Sequence, residues 1–324
     1  MSQKQPTLEQ RGRLTQRAAL ASVAVASILL VLKAGAFWQT GSVAVLGSLA
    51  DTGLDLVASV ATYMGVRYAA MPADHDHRFG HGKAEALVAL FQVTLITIAA
   101  LGLAWESTRR MLSGAYSAQA PEVGIGVSIV AIVLSFALVI YQKRVIARTG
   151  SLAIGTDNLH YQSDFFLNLS VIVALVLEQY MGVSGADPVF GIIIAIWLAW
   201  NAWRSTSDAI DDLMDKEWSV EERQHFLDVA SRHPKLEGIH DMRTRTSGAL
   251  RFVQFHASMD PDMSIRQAHI VMDEIEAELH KAFPDVDIFI HADPEGHVED
   301  GGDPLRGMEA QTLLAEEEAE AAKS

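Results

Sequence analysis

Residues 42–66 read SVAVLGSLADTGLDLVASVATYMGV, an apolar stretch with two aspartates, Asp51 and Asp55, near its middle. A transmembrane helix needs about 20 mainly apolar residues to cross a hydrocarbon core of about 30 Å, and this stretch is long enough. Five more apolar stretches occur in the first 210 residues, at 14–38, 84–108, 123–141, 151–177 and 189–203. The sequence therefore predicts an α-helical membrane protein with six transmembrane helices.

The composition changes after residue 210. Residues 1–210 carry 14 basic and 13 acidic side chains, whereas residues 211–324 carry 11 basic and 27 acidic ones. Helical and alternating apolar patterns in the second part follow the order αββαβ, which predicts a small α+β domain. We expect a cytoplasmic N-terminal segment at 1–13, a transmembrane domain at 14–210, a cytoplasmic domain at 211–297 and an acidic, disordered tail at 298–324.

Composition and motifs also exclude several classes of protein. No nucleic acid is expected as a partner, because the sequence has no basic face that would bind phosphate. The chain has no cysteine, which excludes disulfides, thiolate nucleophiles and thiolate metal sites. It also lacks HExxH, nucleophile-elbow and P-loop motifs, which argues against an enzyme. Any metal ion must therefore be bound by histidine and carboxylate side chains.

Basic residues near the ends of the apolar stretches predict the orientation in the membrane. Nine Lys and Arg residues lie at the ends that share a side with the N-terminus, and only Arg109 and Arg110 lie at the opposite ends. By the positive-inside rule, both termini are cytoplasmic in a multi-pass protein of the cytoplasmic (inner) membrane, where lipid surrounds the helices. Lys33 lies close to the outer end of the first stretch, and we expect its ammonium group to reach the outer interface.

Four ionisable residues lie deep within the predicted membrane segments: Asp51, Asp55, His160 and Asp164. A central Asp costs on the order of 2.5–3.5 kcal/mol there, so each is a functional candidate. Both pairs have i, i+4 spacing, which places their members on one helix face. The first pair lies 9 and 13 residues from the outer end of its stretch, and the second lies 9 and 13 residues from the inner end of its own. With a rise of about 1.5 Å per residue, all four reach one level, where we expect no basic residue, and form a tetrahedral cage.

The charge of this cage predicts its chemistry. Three carboxylates and one imidazole carry a charge of about −3, which must be neutralised by a cation or by protons. Exchange of a metal ion for protons is therefore expected. The ligand types favour Zn²⁺ over Mg²⁺ and leave Fe²⁺, Co²⁺ and Ni²⁺ open. Alternatively, the aspartates form helix–helix hydrogen bonds or neutralise a basic neighbour, and Asp157 either supports the ligands or lies at the interface.

Several motifs resemble those of the cation diffusion facilitators, in particular the bacterial zinc-transporting members of that family. The motifs are GSLADTGLD at 47–55, PADHDHRFGHGKAEAL at 72–87, DNLHYQSD at 157–164 and the spaced histidines after residue 220. The resemblance covers roughly residues 15–295. It implies a six-helix membrane domain and a cytoplasmic αββαβ domain of metallochaperone-like (ferredoxin-like) type, assembled as a homodimer that exports Zn²⁺ in exchange for H⁺. In this family, a His at the position of His160 accompanies transport of zinc and cadmium.

The resemblance also implies the sites. The transport site is again Asp51, Asp55, His160 and Asp164. A loop site comprises Asp74, His77 and His81, although His75 and Asp76 in the same loop leave open which side chains bind. A two-ion site in the cytoplasmic domain comprises His240, His256, His269, His291 and Asp293, with Asp293 as the bridging ligand. Lys83 and Asp215 form a salt bridge across the dimer near the membrane surface.

Together these features predict a Zn²⁺/H⁺ antiporter that works by alternating access. Zn²⁺ is both its substrate and a structural or regulatory ion of the cytoplasmic domain, and the sequence leaves Cd²⁺ and Fe²⁺ open as substrates. The alternative is a membrane-anchored metal sensor, in which metal bound to the cytoplasmic domain signals and the intramembrane residues have a structural role.

Overall fold

The structure is a computed structural model that describes residues 7–40, 43–113, 122–181, 185–296 and 310–321. The chain divides into two compact units between Asp211 and Asp212. The first is helical and the second combines helices with a β-sheet.

Six long helices form the first unit, as the apolar stretches predict: α1 (Leu8–Thr40), α2 (Val43–Ala69), α3 (Ala84–Ser113), α4 (Glu122–Thr149), α5 (Leu152–Met181) and α6 (Ala186–Leu213). Among the described residues, segments of α1, α3, α4 and α6 are long and apolar enough to span a membrane by composition alone. The remaining two, α2 and α5, carry the ionisable residues described above.

Small side chains allow the helices of this unit to pack closely. Ala18 and Ala19 of α1 are fully buried with Val66 of α2, Val145 of α4 and Ala153 of α5. The outer surface is apolar instead, with Trp105, Leu101 and Ile196 among the strongly exposed side chains. Close packing through small residues and an apolar exterior are both typical of helices in a lipid environment.

Helix α5 has a central place in the unit, because it contacts α1, α2, α3 and α4. Its face towards these helices is polar: Thr156, Asp157, Asn158 and Ser163 are all buried. Buried polar groups require hydrogen-bond partners, and in lipid these must come from neighbouring helices. The polar residues of α5 are therefore matched to polar residues of the helices around it.

The second unit has the predicted αββαβ order, with α7 (Val220–Ala230), β1 (Gly238–Ser247), β2 (Leu250–Met259), α8 (Ile265–Ala282) and β3 (Val286–Pro294). The strands form one sheet of order β1-β2-β3, in which β1 pairs antiparallel with β2 and β2 pairs parallel with β3. Ser219 and Ser264 cap the N-termini of α7 and α8. Apolar residues of these helices, such as Phe226 and Ile275, pack against Phe255 of the sheet.

The prediction of a disordered tail at 298–324 is wrong for Ala310–Ala321, which form a further helix, α9. Ala310 and Leu314, four residues apart, are buried in the core of the second unit, and α9 contacts α7 and β1. An acidic composition predicts disorder only when a segment has no apolar face to bury. The other residues of the predicted tail lie outside the described residues.

Candidate metal centres

The membrane unit brings together three of the four predicted intramembrane ligands. His160 Nε2 lies 3.0 Å from Asp55 Oδ1 and 3.8 Å from Asp164 Oδ2. One ligand atom from each residue lies within 4.8 Å of the others. Two ligands of one tetrahedral Zn²⁺ are about 3.4 Å apart when each bond is about 2.1 Å. The three side chains therefore match the size of a zinc site, with α2 supplying one ligand and α5 supplying two.

Asp51 is exposed, and the structure does not bring it into this group of three. It lies one turn before Asp55 on α2, which corresponds to a rise of about 6 Å. The i, i+4 spacing places two side chains on one face of a helix, but it does not bring both to one point. The role of Asp51 as the fourth ligand stays a prediction.

Lys33 does not extend towards the outer interface, contrary to the expectation from its position in the sequence. Its Nζ donates hydrogen bonds to Thr52 Oγ1 at 2.6 Å and to the Ser48 carbonyl oxygen at 3.3 Å. Its charge acts on Asp51 and Asp164. The expectation that no basic residue lies at this level is therefore also wrong, because α1 packs against α2 and directs the Lys33 ammonium group towards the carboxylates.

Asp157 is completely buried between the helices. Ser22 of α1 and Gln142 of α4 donate hydrogen bonds to Asp157 Oδ2 at 2.5 and 2.6 Å. Gln92 of α3 donates to Oδ1 at 3.0 Å. This carboxyl group therefore links α5 to three other helices, one turn before the predicted ligand His160.

The loop between α2 and α3 brings together Asp74, His77 and His81. Asp74 Oδ1 lies 3.3 Å from His77 Nδ1, and Asp74 Oδ2 lies 3.2 Å from His81 Nε2. The backbone N–H of His77 donates to Asp74 at 2.7 Å, and this hydrogen bond is the main cause of a pKa of Asp74 below its ordinary value. His75 and Asp76 are exposed and lie outside this group among the described residues.

His81 has features of a ligand that is already oriented. Its side chain is 1% exposed, and its Nδ1 atom is buried without a hydrogen-bond partner. Tyr68 contacts the ring edge to face, with centroids 4.6 Å apart. Gly80 directly before it has a φ of 78°, which favours glycine in this tight turn. Three side chains with an anionic oxygen and two imidazoles fit a divalent transition metal ion.

In the second unit, strand register places three histidines in one row across the sheet. His240 of β1 pairs with His256 of β2, and His256 pairs with His291 of β3. The ring centroids of His240 and His256 are 5.2 Å apart, and those of His256 and His291 are 4.7 Å apart. Cross-strand neighbours on one face lie close to each other in any sheet, so the register alone collects the imidazoles.

Asp293 lies between these imidazoles. Its Oδ2 atom is 2.7 Å from His256 Nδ1 and 3.2 Å from His240 Nε2, and its Oδ1 atom is 3.2 Å from His291 Nε2. Burial opposes the ionisation of Asp293, but the hydrogen bond from His256 and the neighbouring imidazoles hold its pKa below the ordinary value. Both oxygens of Asp293 therefore face imidazole nitrogens, and its role as a bridging ligand stays a prediction.

The structure does not bring His269 into this cluster within one chain. Its side chain is 69% exposed, and its nearest acidic partner is Asp273 at 3.9 Å. Instead, sequence reasoning missed Asp241, whose Oδ2 lies 3.6 Å from His256 Nε2. Strand alternation would place Asp241 on the face opposite His240, but a register shift follows His240 and Asp241 has a φ of 46°. Asp241 is the residue directly after His240, and only this irregularity turns its side chain towards His256.

The pairing of Lys83 with Asp215 across a dimer stays a prediction. Within the second unit, Asp215 Oδ2 lies 3.6 Å from a terminal guanidinium nitrogen of Arg245. Asp215 has a φ of 56°, just after the end of α6.

Two family models and the relatives that match most of the chain agree with this architecture. Residues 19–214 match the family model of the cation efflux transmembrane domain, and residues 214–295 match that of the cation efflux protein cytoplasmic domain. The chain is 41% identical over 283 residues to the cation-efflux pump FieF of Cronobacter sakazakii, covering 87% of this chain and 94% of the relative. Identity to FieF of Escherichia fergusonii is 42% over the same length and coverage. Among solved structures, the metal-bound C-terminal domain of the CzcD transporter from Thermotoga maritima is 30% identical, covers 25% of this chain and 92% of that domain, and has a TM-score of 0.23.

Proposed function

The chain belongs to the cation efflux family, and we propose that it exports Zn²⁺ from the cytoplasm in exchange for protons. Its relatives of this length are cation-efflux pumps, which makes it a membrane transporter of divalent cations and not an enzyme. The finer proposal concerns the choice of metal, the counter-ion and the direction of exchange.

One observation carries the proposal: Asp55, His160 and Asp164 converge between α2 and α5 inside the membrane unit. An imidazole with carboxylates favours Zn²⁺ over the hard ions Mg²⁺ and Ca²⁺, which prefer oxygen ligands alone. Cd²⁺ and Fe²⁺ are further candidate substrates for this ligand set. Asp51 completes the site as the fourth ligand in the metal-bound state.

Proton exchange follows from the charge of the ligands. Without a metal ion, the buried carboxylates cannot all stay ionised in a low-dielectric environment, so protons replace the cation. Zn²⁺ enters from the cytoplasm and displaces these protons. In the outward-facing state, protonation of His160 and a carboxylate weakens the site, and the ion is released. The helices alternate between an inward-facing and an outward-facing state, and each transported ion stabilises the state that binds it more tightly.

The other two clusters have supporting roles in this proposal. The loop cluster at Asp74, His77 and His81 binds a metal ion on the cytoplasmic side. The cytoplasmic domain binds Zn²⁺ through His240, His256, His291 and Asp293, with His269 at a second ion, and stabilises a homodimer. Lys83 and Asp215 connect the protomers near the surface of the inner membrane, and both termini are cytoplasmic.

Transport by the full-length protein in proteoliposomes tests the proposal. With Zn²⁺ outside and an acidic interior, we expect Zn²⁺ uptake together with proton efflux. Asp55→Ala should reduce Zn²⁺ uptake to the level of protein-free liposomes. Asp208→Ala, a change at an exposed acid of α6, is the matched control and should retain transport.

The same assay separates this proposal from the sensor alternative. Zinc binding without zinc flux in the wild type would favour a membrane-anchored sensor. Intact flux in Asp55→Ala would contradict the assignment of the transport site, and zinc uptake that is independent of the pH gradient would contradict proton exchange.

A further inference from the structure

Asp157 is a fully buried ionisable residue that the proposed metal site does not use. It lies three residues before His160 on α5, a rise of about 4.5 Å. Its contacts from α1, α3 and α4 are the Ser22 hydroxyl and the side-chain amides of Gln92 and Gln142. All three groups are neutral. No lysine or arginine therefore pairs with this carboxyl group among its hydrogen-bond partners in the described residues.

Two titratable groups of its own helix, His160 and Tyr161, interact electrostatically with Asp157. Gln92 also donates a hydrogen bond to Thr62 of α2, so the group facing from that helix is neutral as well. A carboxylate buried among neutral groups is costly, and binding of a proton removes this cost.

The hydrogen bonds around Asp157 can accommodate both charge states without movement of a helix. Ser22 Oγ lies 2.5 Å from Asp157 Oδ2 and 3.2 Å from the Ala18 carbonyl oxygen. When Asp157 is ionised, the Ser22 hydroxyl donates to Oδ2. When Oδ2 carries a proton, Asp157 donates to Ser22 Oγ, and the Ser22 hydroxyl rotates to donate to Ala18.

The two amides fit either state. Gln142 Nε2 lies 2.6 Å from Asp157 Oδ2 and 2.9 Å from Ser22 Oγ, and its two hydrogens can serve both oxygens. Gln92 Nε2 donates to the other carboxyl oxygen in both states. Every polar atom of this network therefore keeps a partner, and rotation of one hydroxyl group is the only change that a proton requires.

We infer that Asp157 is a proton-binding residue of the transport cycle, separate from the metal ligands. It holds a proton while no divalent cation occupies Asp55, His160 and Asp164, and it releases that proton when the cation binds one turn away. The positive charge of the cation stabilises the ionised carboxylate, which explains the coupling. This inference rests on the proposed exchange of metal for protons and adds a proton that the ligands themselves do not carry.

Counting protons during zinc binding tests this inference. The full-length protein in detergent is titrated with Zn²⁺ in weak buffer, while a pH indicator reports the protons released and the bound zinc is measured separately. Asp157→Asn keeps the shape of the side chain but cannot release a proton. We expect this variant to bind zinc and to release fewer protons than the wild type, by up to about one per membrane site. Asp208→Asn, at an exposed position, should release the wild-type number.

Failure of the inference can be distinguished from failure of the proposed function. An unchanged proton count in Asp157→Asn from neutral to mildly acidic pH would overturn the inference, because Asp157 would then only hold the helices together. Asp55→Ala provides the second comparison. If this variant releases as many protons as the wild type, filling of the membrane site releases none, and the antiport proposal itself is wrong.

Infrared difference spectroscopy keeps the inference testable if Asp157→Asn does not fold. Addition of Zn²⁺ to the wild type should remove absorption from the carbonyl stretch of a protonated carboxylic acid. Ser22→Ala removes the hydroxyl group next to Asp157 Oδ2 and should shift the frequency of that band. The inference is overturned if no such band is lost, or if its frequency does not respond to Ser22→Ala.

Discussion

Gly65→Ala should separate α2 from α3 and destabilise the membrane unit. A Cβ atom at position 65 would overlap Val88 Cγ2 and lie 3.0 Å from Val88 Cβ, whereas unstrained carbon atoms are about 3.5–4.0 Å apart. Val88 cannot easily rotate away, because a β-branched side chain in a helix has one strongly preferred χ1 rotamer. Either the helices move apart or Val88 adopts a strained rotamer.

The expected size of the effect follows from two opposing contributions. Overpacking of this kind costs about 1–3 kcal/mol. Replacement of glycine by alanine within a helix returns about 0.5–1 kcal/mol, so the net loss lies between about 0 and 2.5 kcal/mol, with a central value of about 1 kcal/mol. For a unit of this size, a loss of about 1 kcal/mol lowers Tm by about 2–4 °C.

Gly102→Ala is the matched control for this variant. A Cβ at position 102 of α3 would meet no atom within 4 Å, so the same chemical change should leave Tm unchanged or raise it. The double variant Gly65→Ala/Val88→Ala removes the overlapping methyl group and should recover most of the loss, with a coupling energy of about 1 kcal/mol.

Thermal unfolding of the detergent-solubilised protein measures all three variants, and zinc flux reports whether α2 still positions Asp55. Equal Tm values for Gly65→Ala and Gly102→Ala would refute the close contact between α2 and α3 at Gly65. A double variant that is no more stable than Gly65→Ala would refute Val88 as the cause.

Three further predictions concern ion choice, the fourth ligand and pH. His160→Asp removes the imidazole that lies 3.0 Å from Asp55, and we expect zinc-over-manganese discrimination in transport assays to fall by about tenfold or more; an unchanged preference would argue against His160 as a ligand. Asp51→Ala should lower zinc flux about 10- to 100-fold, whereas wild-type flux would show that Asp55, His160 and Asp164 suffice. A hydrogen bond with Glu295, followed by burial and the charges of Glu295 and Asp260, raises the pKa of Glu237, so this pair stabilises the fold at low pH and loses that contribution as pH rises through the raised pKa. Glu237→Gln should therefore raise the unfolding temperature of the full-length protein at neutral pH and not at pH 4 or below. A gain that is equal at both pH values would contradict the raised pKa of Glu237.

Local patterns were sufficient for most of the fold. Lipid requires about 20 apolar residues for each spanning helix, so six helices can be predicted from hydropathy alone. The strands of the cytoplasmic domain show their alternation just as directly, and the αββαβ order was correct. Helix α9 was missed because its acidic composition predicts disorder, whereas the burial of Ala310 and Leu314 depends on distant elements.

The candidate membrane site was partly predictable for a similar reason. Helical rise is nearly constant, so counting residues from opposite membrane faces placed Asp55, His160 and Asp164 at one depth. Depth does not determine the direction in which a helix faces. Rotation of α2 leaves Asp51 exposed, and packing of α1 on α2 brings Lys33 to Thr52. Neither outcome follows from the spacing of residues within one helix.

By itself, the sequence determined which residues share a face and which side chains can bind a metal ion, because helix and strand periods depend only on local backbone geometry. Tertiary structure alone decided which faces meet. Strand register aligned His240, His256 and His291 around Asp293, and a backbone irregularity turned Asp241 towards His256. Side chains of α1, α3 and α4 enclosed Asp157. Contacts of this kind depend on how separate elements pack, and no local period in the chain specifies that packing.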